Sequence, residues 1–501
     1  MTSHCQVTEL SLSGIPEFYQ LYQYSPERYP FFLTSTTQPT PTDRNTHHSD
    51  ANFDILFIEP QHRIILDNSG CLSTSEDHSP STATASFLDC FKQHYLDTVS
   101  NWKNPAEADI PLPFRGGWFI FLSYEIAGEI EPILKLPRSE QALPVAYAAR
   151  VEQALIFDHQ RQRYFFITES GIDHQQCYDT LLADMSCVQK QTRDIQSQDK
   201  KLLTDLLSDL QEEDDSLFLK AVERVKQYIL DGDVFQVNMS RLWHSSVSDV
   251  QHHELAAALY KKLSRANPAP FSGLATFLTE TGAASVISSS PERLLSINNN
   301  QLASRPIAGT HPRSTSLSED QLLLEHLHNH PKEQAEHIML IDLIRNDLGR
   351  VCTPGTVTVD ELMVNESYAH VHHIVSNVTG ELQADKTPVD AIRALFPGGT
   401  ITGCPKVRCM EIIAELEQCS RGAYTGSMGY INLDGSMDLN ILIRTMVLEQ
   451  SGCEDSDADF ASQQLSLRAG AGLVFDSIAY KELQETRAKA KGLLKALGAE
   501  G

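Results

Sequence analysis

The sequence lacks a CxxC motif, a dinucleotide-binding glycine fingerprint and a long apolar run. Its ten cysteines are scattered over 501 residues, and the closest pair, Cys404 and Cys409, has no second pair to complete a zinc site. We therefore expect reduced thiols and a cytoplasmic protein. The longest apolar run, WFIFL at 118–122, is far shorter than a membrane helix, and MTSHCQVTEL at the start lacks the basic and apolar regions of a signal peptide.

Positive charge is also scarce. The chain carries 40 Lys and Arg against 66 Asp and Glu, which gives a formal net charge of −26 and a pI near 5.1. Because a polyanion must be met by basic side chains, this balance argues against nucleic-acid binding through the general surface. An anionic ligand would need a local site made of a few basic groups, helix N-termini or a divalent metal.

Periodicity along the chain predicts an α+β fold. Strand-like alternation marks 368–382, 424–432, 438–449 and 464–475, and helical spacing marks 319–348, 404–419 and 479–497. Strands in runs with helices between them, rather than strict βαβ alternation, favour α+β over a parallel sheet. The segment 178–216 is amphipathic and then acidic, which indicates a connection between two parts, 1–195 and 215–498.

Two acidic pairs share an E-x-x-E spacing at the heads of predicted helices. Glu333 and Glu336 form the first pair, and Glu482 and Glu485 form the second. Residues three apart lie on one helix face, where two carboxylates repel unless a cation lies near them. One interpretation is a pair of solvated helix starts, which the helix dipole favours. The other is a metal site, and oxygen ligands without His or Cys suit Mg²⁺.

Seven ordered segments carry a resemblance to a known family. They are RPIAGTHPR, EQAEHIMLIDLIRNDLGRV, HHIVSNVTGEL, FPGGTITGCPKVRCMEII, YTGSMGYI, MDLNILIRTM and RAGAGLVFDS. Together they resemble the chorismate-utilising enzymes, which include component I of anthranilate synthase and of aminodeoxychorismate synthase, and the isochorismate and salicylate synthases. The resemblance implies two large, mostly antiparallel β-sheets packed as a sandwich with helices outside. It also implies that chorismate binds with Mg²⁺ in a cleft between them.

The resemblance assigns roles to residues at matching positions. Glu336 and Glu485 would bind the metal directly, and Glu333 and Glu482 would hold metal-bound waters. The second carboxylate of chorismate would meet Arg444, whose planar guanidinium offers two donors. Without the resemblance, a structural salt bridge would be the preferred interpretation of Arg444. The remaining substrate-binding positions that the resemblance implies are Thr310, Gly403, Lys406, Tyr424, Gly470, Ala471 and Gly472.

Two further residues would act in proton transfer. Glu292, in SSSPERLL, resembles the family's acid that helps the ring C4 hydroxyl to leave, which requires a pKa raised by burial or by other carboxylates. His373 matches an active-site histidine of the family near the leaving hydroxyl or the enolpyruvyl group. Its neighbour His372 alternates to the opposite strand face and is expected outside the site.

The choice of family member rests on conflicting features. No GxCxG nucleophile loop is present, so we expect ammonia from a glutamine amidotransferase partner subunit. Ala308 stands where many aminodeoxychorismate synthases have lysine, and PIAGT is the usual anthranilate form. Asn238, however, is typical of the aminodeoxychorismate branch, and FFLTS replaces the LLES of the tryptophan feedback site. The sequence thus favours aminodeoxychorismate synthase component I, with anthranilate synthase component I next and a non-catalytic chorismate or tryptophan binding protein as a further alternative.

Overall fold

The computed structural model describes residues 5–498 with gaps. The gaps are 12–13, 37–51, 76–85, 103–110, 140–141, 192–209, 248–249, 280–281, 313–315, 317–319, 321–330, 368–370 and 452–461. In addition, the side chains of 191, 308–312, 331–333, 367, 371–372 and 451 lie outside the described part. The segments 36–52 and 73–86, whose Ser, Thr, Pro and Asp content is typical of loops, therefore fall mostly outside the described residues.

Ten helices lie in the described residues. They are α1 (Phe18–Tyr24), α2 (Phe87–Asn101), α3 (Ala127–Ile130), α4 (His174–Gln191), α5 (Asp215–Leu230), α6 (His252–Ala266), α7 (Pro331–Gly349), α8 (Pro388–Leu395), α9 (Lys406–Glu417) and α10 (Ala479–Leu497). Short 3₁₀ turns cover Tyr124–Ile126 and Gly399–Ile401. None of the described helices is long and apolar enough to cross a membrane.

The strands of the described residues run in chain order as follows. They are β1 (Gln6–Leu10), β2 (Phe31–Thr34), β3 (Phe53–Ile58), β4 (Gln61–Leu66), β5 (Leu72–Thr74), β6 (Gly117–Leu122), β7 (Ala146–Val151), β8 (Gln153–Asp158), β9 (Arg163–Thr168), β10 (Gln211–Glu212), β11 (Gln236–Val247), β12 (Phe271–Thr279), β13 (Gly282–Ser290), β14 (Arg293–Asn298), β15 (Gln301–Ser304), β16 (Ile307–Pro312), β17 (Thr358–Ser367), β18 (Val371–Glu381), β19 (Gly403–Cys404), β20 (Ser427–Asn432), β21 (Met437–Asn440), β22 (Thr445–Ser451) and β23 (Gln463–Leu473).

These strands form two antiparallel sheets. The first has the order β1-β9-β8-β3-β2-β12-β13-β22-β23-β11-β10, with β19 also paired to β11. The second has the order β16-β18-β15-β14-β21-β20-β6-β7-β4-β5, with β17 on the other edge of β18. Each sheet combines strands from before residue 170 with strands from after residue 210. The division of the chain into 1–195 and 215–498 stays a prediction.

The two sheets pack face to face through an aromatic core. Phe31 on β2 of the first sheet stacks on Phe119 on β6 of the second, with 4.2 Å between ring centroids. Phe277 on β12 lies 4.9 Å from both Phe121 and Tyr147. These rings are almost fully buried, and aromatic side chains supply large buried areas. Aromatic side chains from both sheets therefore fill the interior of the sandwich.

Helices cover both outer faces of the sandwich. Helices α1, α4, α6 and α10 pack on the outer face of the first sheet, and α2, α7 and α8 pack on the second. A smaller core joins α5, α9 and α10 to one face of β11 and β23. The predicted α+β sandwich with helices outside is confirmed.

Most predicted elements exist, with one correction. The helix predicted at 479–497 has those bounds, and the helix predicted at 404–419 spans Lys406–Glu417. The single strand expected over 438–449 is wrong, because the chain leaves the second sheet after Asn440 and enters the first at Thr445. At the crossing, Arg444 has a φ of 51°, which a continuous strand does not allow. The described cysteines are all free thiols.

Candidate active site

One face of α10 carries ionisable side chains in a row. Glu482, Glu485 and Lys489 are three and four residues apart, so they lie on the same side of the helix. Glu482 is 8% exposed, whereas Glu485 is about half exposed and its Oε1 lies 2.8 Å from the Lys489 Nζ. Leu483, Ala490 and Leu493 of the same helix are buried. They pack α10 onto the first sheet, which fixes the helix that carries the charged row.

Glu336 reaches this region from α7, which packs on β16 and β18 of the second sheet. Its Oε1 accepts a hydrogen bond of 2.7 Å from the Nε2 of Gln236, the first residue of β11 in the first sheet. The same oxygen lies 3.6 Å from the point where a Cβ on Gly472 would stand. Glu336 therefore bridges the two sheets beside β23. The sequence did not single out Gln236, although it alternates with Asn238 on one strand face.

The ammonium group of Lys489 lies within the electrostatic influence of both acidic helices. Desolvation lowers the pKa of Lys489, but the carboxylates of Glu485 and Glu336 reverse that effect and leave its pKa raised overall. Glu485 on α10 and Glu336 on α7, one member of each predicted acidic pair, thus both favour the charged form of Lys489. Sequence reasoning missed Lys489, although its spacing of four from Glu485 was readable.

These acids provide an all-oxygen donor set. No group of three or more His, Cys, Asp or Glu that could hold a metal appears among the described side chains, and the Glu333 side chain lies outside them. The chemistry still fits a hard cation, because every donor in the set is a carboxylate oxygen. Glu482 is buried one helical turn before Glu485. The residues present therefore suit Mg²⁺ better than zinc, which prefers nitrogen and sulfur.

Glu292 lies in the tight connection between β13 and β14. Its side chain is almost fully buried, and burial raises its pKa to about 7, although hydrogen bonds from the Thr400 hydroxyl and the Ile307 backbone N–H oppose that rise. The Thr400 Oγ1 donates to the Glu292 Oε1 at 2.7 Å. Lys489 also influences this carboxyl. Glu292 can therefore hold or release a proton near neutral pH beside the acidic row.

Tyr424 and Asn238 converge on the glycine-rich end of β23. The Tyr424 hydroxyl lies 2.6 Å, and the Asn238 Oδ1 2.8 Å, from the point where a Cβ on Gly470 would stand. The Asn238 Oδ1 is buried and has no hydrogen-bond partner in the described part of the chain. Tyr424 also interacts electrostatically with Lys489. Any side chain at residue 470 would fill the space that these two polar groups face.

The backbone of β23 is partly free at this point. β11 pairs with β23 along its whole length, from Val247 opposite Gln463 to Val237 opposite Leu473. β22 pairs with it only as far as Leu467. On that second edge the backbone of 468–473, which includes Gly470, Ala471 and Gly472, has no partner strand in the described residues. Its unpaired N–H groups are available to a ligand.

Arg444 is partly buried without a carboxylate partner among the described side chains. Its Nη1 donates to the Asn267 Oδ1 at 3.2 Å, and burial lowers its pKa. Asn267 lies against Gly492 of α10, because a Cβ on Gly492 would stand 2.9 Å from the Asn267 Oδ1. The structural salt bridge considered for Arg444 is not present in this part of the structure. A partly buried cation whose partner among the described side chains is an uncharged amide suits an anionic ligand.

Two predicted substrate residues make other contacts. Lys406, at the start of α9, donates to the Asp347 Oδ2 at 2.5 Å and to the Leu395 carbonyl at 3.1 Å. Gly403 pairs with β11, and a Cβ there would stand 2.1 Å from the Gln236 carbonyl oxygen. Gly403 thus allows β19 to approach β11 directly behind Gln236. Both contacts position neighbouring elements, and a direct contact of either residue with substrate stays a prediction.

His373 and Thr310 are opposite each other on neighbouring strands. His373 on β18 is 2% exposed and pairs with Thr310 of β16 on one side and Glu366 of β17 on the other. The side chains of Thr310 and His372 lie outside the described residues. The roles assigned to His373 and Thr310, and the exclusion of His372, stay predictions.

The chain is similar to known proteins over most of its length. Residues 31–495 match the family described as chorismate binding enzyme. The chain is 42% identical over 386 residues to an anthranilate synthase component I-like protein of Synechocystis, covering 77% of this chain and 73% of the relative. It is 40% identical over 403 residues to aminodeoxychorismate synthase component 1 of Bacillus subtilis, covering 80% of each.

Solved structures show the same architecture. Anthranilate synthase component I from Streptococcus pneumoniae matches with a TM-score of 0.68 at 29% identity, over 91% of this chain and 95% of that one. The menaquinone-specific isochorismate synthase of Escherichia coli matches with a TM-score of 0.64 at 17% identity, over 99% of this chain and 95% of that one. The second likeness concerns the fold alone.

Proposed function

The chain belongs to the chorismate binding enzyme family and is a chorismate-utilising enzyme; on this premise we propose that it is aminodeoxychorismate synthase component I. It would convert chorismate and ammonia to 4-amino-4-deoxychorismate, the precursor of p-aminobenzoate in folate synthesis. The observation that carries the proposal is the placement of Glu292. Burial raises the pKa of Glu292 to about 7, and Glu292 interacts electrostatically with Lys489. Lys489 also interacts with Glu485 on α10 and Glu336 on α7.

Substrate binding would use both charged ends of the cleft. Glu336 and Glu485, with Glu333 and Glu482 through water, would hold Mg²⁺, which neutralises one carboxylate of the substrate when bound. The other carboxylate would meet Arg444, the Tyr424 hydroxyl and the free backbone edge at 470–472. Arg444 supports this because its partner in the described residues is an uncharged amide.

Proton transfer would fall to Glu292. Its protonated form would donate to the C4 hydroxyl, which leaves as water, while ammonia forms the new C–N bond and gives up a proton. Because its pKa is about 7, Glu292 is partly protonated at neutral pH and can return to that state after each turnover. His373 would lie near the leaving hydroxyl or the enolpyruvyl group.

The ammonia would come from a separate glutamine amidotransferase subunit, which is component II of the enzyme. Relatives of the chain are named as component 1 of their enzymes, which supports this division. We expect turnover with ammonium salts alone, and turnover with glutamine only when that subunit is present. Glutamine-dependent turnover by the isolated chain would contradict the proposal.

Anthranilate synthase component I is the second candidate. Ala308 favours it, since alanine cannot form the covalent intermediate attributed to lysine at that position, and several relatives carry that name. The Ile307 N–H donates to Glu292, so the Ala308 loop lies beside the acid. If the chain is an anthranilate synthase, we expect Ala308→Lys to fold and to increase the share of product aminated at C4. Unchanged products and kinetics would show that this loop does not approach the reacting carbons.

Product identification separates the candidates. Purified chain is incubated with chorismate, MgCl₂ and ammonium chloride, and the products are resolved by liquid chromatography with mass detection. Loss of chorismate without anthranilate fluorescence or pyruvate release supports aminodeoxychorismate synthase. Anthranilate and pyruvate together would replace it with anthranilate synthase. No consumption, with or without an amidotransferase subunit, would favour a binding protein.

A further inference from the structure

A buried ionic cluster lies behind the Tyr424 end of the cleft. It consists of Glu417 at the end of α9, Arg421 in the turn that follows, Arg468 on β23 and Ser240 on β11. The side chains of Arg421, Glu417 and Arg468 are 1%, 2% and 5% exposed. Ion pairs buried this deeply cost desolvation energy, so a cluster of this kind is weak evidence for a contribution to stability alone.

Glu417 is the centre of the cluster. Its carboxylate accepts hydrogen bonds from Arg421 at 2.6 and 2.9 Å, from Arg468 at 3.1 Å, and from the backbone N–H and hydroxyl of Ser240, both at 2.8 Å. Although burial raises the pKa of Glu417, the two guanidinium groups reverse that effect and leave its pKa lowered. Glu417 is therefore ionised and fixes the orientation of Arg421.

Arg421 connects this centre to the cleft. Its Nη2 donates to the backbone carbonyl of Asn238 at 2.7 Å, and its guanidinium carbon lies 5.5 Å from the centre of the Tyr424 ring. On its other side the guanidinium lies 5.0 Å from the ring of Tyr124. The Arg421 carbonyl also accepts a hydrogen bond from the Tyr424 N–H at 3.1 Å. One side chain thus contacts both residues whose polar atoms converge beside Gly470.

We propose that Arg421 is a positioning residue for the carboxylate-binding end of the cleft. It does not touch the substrate; it holds the Tyr424 hydroxyl and the Asn238 amide in the places where they meet a carboxylate of chorismate. The inference rests on the proposed function, because it takes chorismate as the ligand. Its physical basis is that displacement of a binding group by about 1 Å can cost about a hundredfold in rate or affinity.

The chain offers a matched control in Arg241. Arg241 lies on β11, and its side chain is fully buried. It pairs with Glu212 and Asp215, each at 2.5 Å. Its guanidinium packs 5.4 Å from the ring of Trp243. Arg241 therefore resembles Arg421 in burial, ion pairing and aromatic contact, but it does not contact Tyr424 or Asn238 in the structure.

The test compares Arg421→Gln, Arg421→Lys and Arg241→Lys by KM and kcat for chorismate, with melting temperature recorded for each. We expect Arg421→Gln to raise KM by about tenfold or more with a smaller change in kcat, because binding groups are misplaced while Glu292 is untouched. Arg421→Lys, which keeps the charge and is less disruptive to folding, is expected to recover part of that loss. Arg241→Lys is expected to lower the melting temperature without changing KM.

A double-mutant cycle with Tyr424→Phe measures the coupling between Arg421 and the Tyr424 hydroxyl. If Arg421 acts through the Tyr424 hydroxyl, Arg421→Lys should raise KM by less than about threefold in the Tyr424→Phe background, since coupled residues are not additive. Independent, multiplicative effects on KM would overturn the inference. An unchanged KM in Arg421→Lys, or an equal rise in Arg241→Lys, would overturn it as well.

The dissociation constant of chorismate, measured by calorimetry in the same variants, separates this inference from the proposed function. Binding without turnover in the unmodified chain would overturn the proposed enzyme activity, and the coupling between Arg421 and Tyr424 would then be read from the dissociation constants. Turnover with no coupling would overturn only the positioning role. Absence of both binding and turnover would overturn both.

Discussion

The hydroxyl of Thr400 donates a hydrogen bond to Glu292 that lowers the pKa of this carboxyl. It can be removed with little change in side-chain volume. Replacing Thr400 with valine deletes the 2.7 Å hydrogen bond to the Glu292 Oε1 and leaves a side chain of similar volume. That bond stabilises the ionised form of the carboxylate and opposes the effect of burial. Its loss should therefore raise the pKa of Glu292 further above its value of about 7.

The expected shift follows from the strength of the lost bond. A hydrogen bond to a charged group contributes about 1.5–3 kcal/mol. Because 1.36 kcal/mol corresponds to one pKa unit, the shift should be about one to two units upward. If Glu292 donates the proton to the leaving hydroxyl, it must be protonated, so kcat/KM falls as pH rises through its pKa. The alkaline limb of the profile should therefore move from about pH 7 to higher pH by that amount.

The assay is chorismate consumption with saturating ammonium and MgCl₂ between pH 5.5 and about 9.5, fitted for the alkaline limb of kcat/KM. Since ammonium also titrates, its concentration is corrected to free ammonia at each pH. Thr400→Ser keeps the hydroxyl and should leave the limb in place. An alkaline limb that stays at its original pH in Thr400→Val, or that moves downward, would refute the assignment of Glu292 as the acid.

Three further predictions follow from the structure. Glu485→Gln should lower Mg²⁺-dependent turnover by about a hundredfold or more with an unchanged circular dichroism spectrum. The control Glu411→Gln, which alters an ion pair with Arg408 on α9, should retain activity. Full activity of Glu485→Gln would show that Glu485 is not a metal ligand. Arg444→Gln should raise KM for chorismate by about 10- to 100-fold, since a charge-assisted hydrogen bond contributes about 1.5–3 kcal/mol, and an unchanged KM would return Arg444 to a structural role. Burial raises the pKa of Glu449 to about 7 from a usual value of 4.5, so the folded state loses stability as pH rises from about 4.5 to 7. Glu449→Gln should remove this loss, worth up to about 3 kcal/mol above pH 7, so urea denaturation should show a larger stabilisation by the substitution at pH 8 than at pH 5. An equal effect of the substitution at both pH values would show that the pKa of Glu449 is not raised in the folded state.

Helix faces were predictable from the sequence because they depend on local spacing. The E-x-x-E spacing places Glu482 and Glu485 on one face of α10 whatever surrounds the helix, and the helix itself has the predicted bounds. The strand-like alternation at 464–475 likewise corresponds to β23, which spans Gln463–Leu473. The α+β class followed from the order of such elements along the chain.

The strand predicted over 438–449 shows where local pattern fails. Alternation continues through ILIR, but the chain changes sheets there, because Asn440 pairs with Arg293 in the second sheet and Thr445 pairs with Ser288 in the first. Periodicity reports which residues are apolar, and both sheets present apolar faces to the same core. It contains no information on which sheet a strand joins.

The sequence by itself determined the family, the fold class and the spacing of the acidic pairs, since these are properties of neighbouring residues and ordered motifs. Only the tertiary structure decided that Glu336 bonds to Gln236 and that Lys489 stands under the influence of acids from two helices. It also decided that Lys406 pairs with Asp347 and that Glu292 is buried beside Thr400. The physical reason is that pKa values and ion pairs depend on every group packed nearby, and those groups come from segments far apart in the chain.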